Sequence, residues 1–185
     1  NNTITSSGTP SSRSLYGGAL AIGQSNQNNV KLVNTIIAGN LLFNENNFSN
    51  YLPGGGGIVI RGGALYLINS TVADNQIYTK WDFTGGGSDG GSAIHGADWT
   101  DDGITPQVVI FNSIVHGNSE TINMDSSPTT SYNNQFVLDD DFNDGIYVLA
   151  SYSLFGGDDD LDGYGILNAD PEFLDSTYVL DSRSP

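Results

Sequence analysis

A parallel β-helix, an all-β solenoid of three short strands per coil, is the fold that this sequence predicts. Three observations carry the expectation: one segment recurs along the chain, a Gly-rich apolar segment precedes it, and apolar and polar residues alternate within it at the period of a strand.

The recurring segment is Val30–Asn40, with copies at Leu65–Asn75 and Val108–Asn118. A looser fourth copy spans Val148–Gly157, and Asn2–Thr5 resembles the tail of one more. With Asn34, Asn69, Asn112 and Ser151 as markers, the spacings are 35, 43 and 39 residues. Unequal spacing around a constant segment puts the insertions in side loops, which a stacked repeat tolerates. The expected architecture is therefore about four to five coils with long side loops.

Taken in order, each unit opens on a Gly-led strand: Gly17–Ile22, Gly55–Ile60 and Gly90–Ile94. In the second strand, Val30, Leu65 and Val108 face inward together, as do Leu32, Leu67 and Ile110, while Lys31, Tyr66 and Val109 face out. Asn34, Asn69 and Asn112 follow at a corner, because Asn tolerates the left-handed backbone of a sharp bend. Their amides are expected to stack as a ladder with a structural role. The third strand brings Ile37, Val72, Val115 and Leu154 into another inward row. Such columns remove aliphatic surface from water at about 25 cal/mol per Å². A helical solenoid is excluded, since no segment sustains a helical period and β-branched residues crowd the repeat.

Composition agrees. Of 185 residues, 37% are apolar and 24 are Gly, which suits short strands and turns rather than helices. The net charge of −16 argues against nucleic acid and against direct insertion into anionic membranes as partners. Sixteen of the eighteen Asp residues lie beyond position 88, which makes divalent cations the natural counter-ions. There is no Cys, so no disulfide scaffold and no thiolate metal site. No apolar run approaches the ~18 residues of a membrane span. Residues 1–185 read as a single unit, with 151–185 as its C-terminal closing region. The abrupt first and last residues lead us to expect a piece of a longer polypeptide.

The segments Asn34-Thr35-Ile36-Ile37-Ala38-Gly39-Asn40 and Asn69-Ser70-Thr71-Val72-Ala73-Asp74-Asn75 resemble those of bacterial right-handed parallel β-helix repeat proteins of the pectate-lyase-like superfamily. The stretch Ser151–Gly157, then Gly163–Phe173 with its Asp170-Pro171-Glu172-Phe173 turn, then Tyr178–Leu180 and Ser184-Pro185, is similar to the closing pattern of members with a choice-of-anchor type C-terminal region. The insertion Asp158–Asp162 departs from that pattern. The resemblance implies a right-handed helix and an extracellular or cell-surface location. It implies no one reaction, since the fold hosts lyases, hydrolases, adhesins and stalks.

Candidate chemistry lies in loops. Asp139, Asp141 and Asp144, and Asp158, Asp160 and Asp162, gather oxygen ligands beside Gly turns and are the expected Ca²⁺ ligands. The second group is not an EF-hand, because Ala169 stands where the bidentate Glu belongs. Tyr78, Trp81, Phe83 and Trp99 lie in the insertions between the second and third corners and are expected to stack on sugar rings. A lyase would draw its base from Lys31 or Arg61, and a glycosidase its carboxylates from Asp98, Asp101 and Asp102. His95 and His116 share a unit but are expected on different faces, so they form no metal pair.

The leading expectation is a non-catalytic adhesin, stalk or matrix component that binds a polysaccharide or cell-surface glycan and Ca²⁺. Two alternatives stay open: a polysaccharide lyase or glycoside hydrolase, and a subunit that associates end to end into filaments through exposed strand edges.

Overall fold

The computed structural model describes residues 2–6, 17–23, 28–44, 54–79, 92–97, 106–122, 130–132, 136–139, 147–156, 161, 163–182 and 184. Among them every regular element is a strand, and no helix is long and apolar enough to cross a membrane.

After β1 (Thr3–Ser6) the strands recur in sets. The first set is β2 (Leu20–Ile22), β3 (Asn29–Val33), β4 (Ile36–Ala38) and β5 (Leu41–Asn44). The second is β6 (Ile58–Ile60), β7 (Ala64–Ile68), β8 (Thr71–Ala73) and β9 (Gln76–Thr79). The third is β10 (Ile94–Ala97), β11 (Gln107–Phe111), β12 (Ile114–His116) and β13 (Ser119–Ile122), with β14 (Thr130–Tyr132) appended. Then come β15 (Phe136–Asp139), β16 (Tyr147–Ser151), β17 (Leu154–Phe155), β18 (Gly163–Tyr164) and β19 (Leu167–Asn168).

Each set contributes one strand to each of four sheets. The Gly-led sheet has the order β15-β10-β6-β2, the pre-corner sheet β18-β16-β11-β7-β3 and the post-corner sheet β19-β17-β12-β8-β4. The fourth runs β1-β5-β9-β13-β14. Neighbours pair in parallel except β13 with β14, which is antiparallel.

The columns follow from period two. Val30, Leu65, Val108 and Val148 stand in register, as do Leu32, Leu67, Ile110 and Ala150. Leu65, Leu67, Val108 and Ile110 are fully buried, and they join Ile22, Ile58, Ile60, Ile94, Val72 and Val115 in one aliphatic core. Burying each such side chain contributes about 1.5–3 kcal/mol.

Two corners recur along the repeats, and both use a left-handed residue followed by a hydrogen-bonding side chain. At the first, Asn34, Asn69, Asn112 and Tyr152 take φ of 51°, 49°, 47° and 49°. The hydroxyls of Thr35, Ser70, Ser113 and Ser153 come next, each donating to the carbonyl two residues back at 2.8–3.1 Å. Each Ser Oγ also accepts the backbone N–H of its counterpart in the preceding repeat: Thr35 to Ser70 at 3.2 Å, Ser70 to Ser113 at 3.0 Å, Ser113 to Ser153 at 3.2 Å. At the second corner Gly39, Asp74 and Gly117 take φ of 64°, 52° and 68°, and Asn40, Asn75 and Asn118 follow, all buried.

Three expectations are corrected. Three strands per unit become four, because Leu41–Asn44, Gln76–Thr79 and Ser119–Ile122 pair into a sheet of their own; these short segments follow an Asn that reads as the end of the repeat. The fourth corner residue is Tyr152 rather than Ser151, since Phe111 pairs with Ser151. What recurs there is the hydroxyl after the corner, so the last spacing is 40 residues. The inward row therefore continues from Val115 to Phe155, with Leu154 opposite Ile114; both residues are apolar, and pattern alone does not separate them.

Candidate functional site

The outer side of the first corner is the candidate site. One position per repeat projects there: Asn34, Asn69 and Asn112, then Tyr152, then Gly165, whose φ of 70° continues the left-handed column. The three Asn side chains are exposed. The Asn112 amide donates to Asn69 Oδ1 at 2.9 Å, so these two amides are linked to each other while facing solvent.

Aromatic rings extend the line toward the later repeats. Phe111, Tyr152 and Tyr164 are all substantially exposed. The Phe111 and Tyr152 rings meet edge to face at 5.8 Å and 77°, and Tyr152 and Tyr164 at 5.2 Å and 79°. Register explains the meeting: Phe111 and Tyr164 both align with Ser151, and Tyr152 sits one residue on. Gly165 leaves the room this needs, because a Cβ there would press against Tyr152 Cδ1 at 3.0 Å.

A groove of about 500 Å³ runs along this corner, lined by Asn69, Ser70, Thr71, Asn112, Ser113, Ile114, Tyr152, Ser153, Leu154, Gly165 and Leu167. Leu180 and Ser184 of the C-terminal segment line it too. That segment folds into a hairpin: Phe173 bridges Leu180 in antiparallel sense, and Leu174 N–H donates to the Val179 carbonyl at 2.8 Å. Asp175 holds the turn by accepting from Thr177, which draws its carboxyl below the usual range. Tyr178 reaches back to the second repeat, where its hydroxyl donates to Asp74 Oδ2 at 3.1 Å. Burial first, and then the Asp74 charge and hydrogen bond, push the Tyr178 phenol up to about 12.

The chemistry of this lining is specific in kind. It offers amides, hydroxyls, an aromatic ring and aliphatic carbon, and among the described residues that line it none is Asp, Glu, His, Lys or Arg. Such a surface forms neutral hydrogen bonds and stacking contacts.

The other sequence-derived candidates fall elsewhere. Tyr78 lies on the fourth sheet, its ring 4.9 Å from that of Phe43, away from the groove lining. Trp81, Phe83 and Trp99 lie outside the described residues, as do Asp98, Asp101, Asp102, Asp141, Asp144, Asp158, Asp160 and Asp162. Asp139 ends β15, its backbone in register with Ala97. Among the described residues no three His, Asp or Glu side chains gather as a metal would require. Lys31 is exposed in the column of Tyr66, Val109 and Leu149. His95 is buried on the Gly-led sheet, and His116 is on the post-corner sheet. Burial, and second the nearby Arg61 guanidinium, lower His95 to about 4, so the imidazole is neutral at pH 7.

Sequence reading missed two features. The corner Asn set has one rung, Asn112 to Asn69, and a separate buried ladder runs Asn40–Asn75–Asn118, whose signal was an Asn six residues after each corner. The aromatic line carried no fixed spacing, because its members come from two neighbouring columns. Comparison with family models, with curated proteins and with solved structures returns no match for this chain.

Proposed function

We propose that the chain is a stretch of right-handed parallel β-helix of the pectate-lyase-like type, displayed outside a bacterial cell, which binds neutral glycan in the corner groove and does not cleave it. The observation that carries this reading is the groove lining: among the described residues it offers exposed amides and the Tyr152 ring, flanked by Phe111 and Tyr164, with no Asp, Glu, His, Lys or Arg. Proton transfer to a glycosidic oxygen, or from a sugar carbon, needs such a group in reach. Hydrogen-bonded recognition with ring stacking does not. The Ca²⁺ expected at Asp139–Asp144 and Asp158–Asp162 belongs to the same proposal and would serve the loops rather than the groove.

The test is a panel of neutral and acidic polysaccharides, with and without Ca²⁺, scored for retention of the protein and for new reducing ends. The expected result is retention by a neutral polymer, no reducing ends, and loss of retention in Tyr152→Asn. New reducing ends or unsaturated products would return the lyase and hydrolase readings. Retention by acidic polymers alone would contradict the neutral groove.

A further inference from the structure

We infer that the ligand of the corner groove is an extended, equatorially linked neutral glycan lying along the stacking axis with one sugar per repeat. This rests on the glycan-binding reading above and adds the linkage class and the direction of the chain. Three features of the groove carry it.

The first is spacing. Stacked strands lie ~4.8 Å apart, so the four corner positions that line the groove, from Asn69 to Gly165, span roughly 14 Å along the axis. An equatorially linked pyranose ribbon advances by nearly the same distance per sugar and stays in phase with the repeats. An extended peptide advances ~3.4 Å per residue and falls out of phase within a few units. Axially linked α-glucans coil and leave the line of the groove.

The second is alternation. The Tyr152 ring stands nearly perpendicular to its neighbours on either side, at 77° to Phe111 and 79° to Tyr164. Phe111 and Tyr164 stand in the column of Ser151 and Tyr152 in the next one, so beside the groove the ring position alternates between two columns over three successive repeats. A ribbon glycan rotates each sugar by half a turn relative to the last and has the same two-unit period.

The third is unused polar capacity. The Asn112–Asn69 bond engages one side of each amide, and among the described residues Asn112 Oδ1 and Asn69 Nδ2 have no hydrogen-bond partner. Ser184 Oγ, also in the lining, is buried without a hydrogen-bond partner among the described residues. An acceptor, a donor and a hydroxyl in a groove with no charged side chain among its described residues match the alternating hydroxyls of a neutral sugar.

Calorimetric titration with cello-oligosaccharides of increasing length, against malto-oligosaccharides of equal length, decides it. The affinity for the ribbon series should rise with each sugar up to about four and then level off, one sugar per ~4.8 Å step. The α-linked series should bind at least about tenfold more weakly, and Tyr164→Ser should weaken the longest ribbons by roughly tenfold. Tyr152→Asn, which keeps a corner residue suited to this backbone, should do the same without lowering the melting temperature appreciably. Equal or better binding of the α-linked series, or affinity independent of length, would overturn this inference and leave glycan binding standing. Binding of neither series, with neutral polymers also failing to retain the protein, would remove both.

Discussion

Asn75 Oδ1 accepts both the side-chain amide of Asn40, at 2.7 Å, and its backbone N–H, at 3.2 Å. Asn75 in turn donates to Asn118 Oδ1 at 2.8 Å and to the Ile37 carbonyl at 3.0 Å, while its own N–H reaches Asn118 Oδ1 at 3.0 Å. Three consecutive repeats are thus fastened through one buried amide column. At the first corner the Asn side chains face water instead, although the backbone bends there in the same left-handed way.

Removing the middle rung should therefore cost far more than removing a corner amide. Asn75→Ala strands the Asn40 backbone N–H and side-chain amide and the Ile37 carbonyl, while Asn118 Oδ1 keeps the backbone N–H of residue 75; at about 1–3 kcal/mol for each stranded group before relaxation, a loss of about 3 kcal/mol or more is expected. Asn69→Gly keeps the left-handed backbone accessible and should cost less than about 1 kcal/mol. Urea unfolding of the two variants makes the comparison. Equal losses would mean that the buried column does not fasten the stack.

Tyr152 occupies a position where three other repeats use Asn, and a non-Gly aromatic with φ of 49° is uncommon. Replacing it by Asn relieves local strain but gives up edge contacts with Phe111 and Tyr164, each worth about 0.5–1.5 kcal/mol. The expected net change in stability is within about 1 kcal/mol, read by urea unfolding. A loss well above that would give Tyr152 a structural role instead of a binding one.

His95 makes stability depend on acid. Its folded pKa of about 4 lies below the ordinary 6.5, so between these values the unfolded chain takes up a proton that the folded one refuses. The contribution is intact above pH 6.5, falls as the pH drops and is fully lost by about pH 4, with a total on the order of 3 kcal/mol. His95→Gln should flatten the slope of unfolding free energy across that window relative to the native chain. Identical slopes would show that His95 is accessible to protons in the folded state.

Tyr178 carries the opposite dependence. Its phenol is pushed up to about 12, so docking of the C-terminal hairpin on Asp74 is supported below pH 10 and weakens as the pH rises toward 12. Tyr178→Phe removes the hydroxyl and should raise amide exchange in Leu174–Leu180 at neutral pH, with the strands of the stack unchanged. Unaltered exchange would mean that Phe173 packing alone holds the hairpin.

How much of this was legible in the sequence depended on length and contrast. The Val30–Leu65–Val108 column was readable because apolar and polar residues alternate cleanly over a five-residue strand. Beyond the corner, Leu154 and Phe155 are both apolar, and only the pairing of Ile114 with Leu154 fixes the register. The fourth sheet was hidden because its strands are short and follow Asn40, Asn75 and Asn118, which read as the ends of repeats. The groove was hidden for a different reason. Phe111, Tyr152 and Tyr164 lie at unequal separations, and they meet only through the registers of β11, β16 and β18. The corner Asn residues were visible, but whether an amide at a bend faces the core or water depends on which side of the bend the next repeat packs.

The most direct test of the account is a titration of isotope-labelled protein with a neutral ribbon oligosaccharide, followed by NMR of the side-chain amides. Shifts confined to the Asn69 and Asn112 amides and to the Tyr152, Tyr164 and Gly165 signals, with the Asn75 and Asn118 amides unmoved, are the predicted result. Shifts centred on Tyr78 or the acidic loops, or none at a saturating sugar concentration, would contradict the assignment of the groove as the binding site.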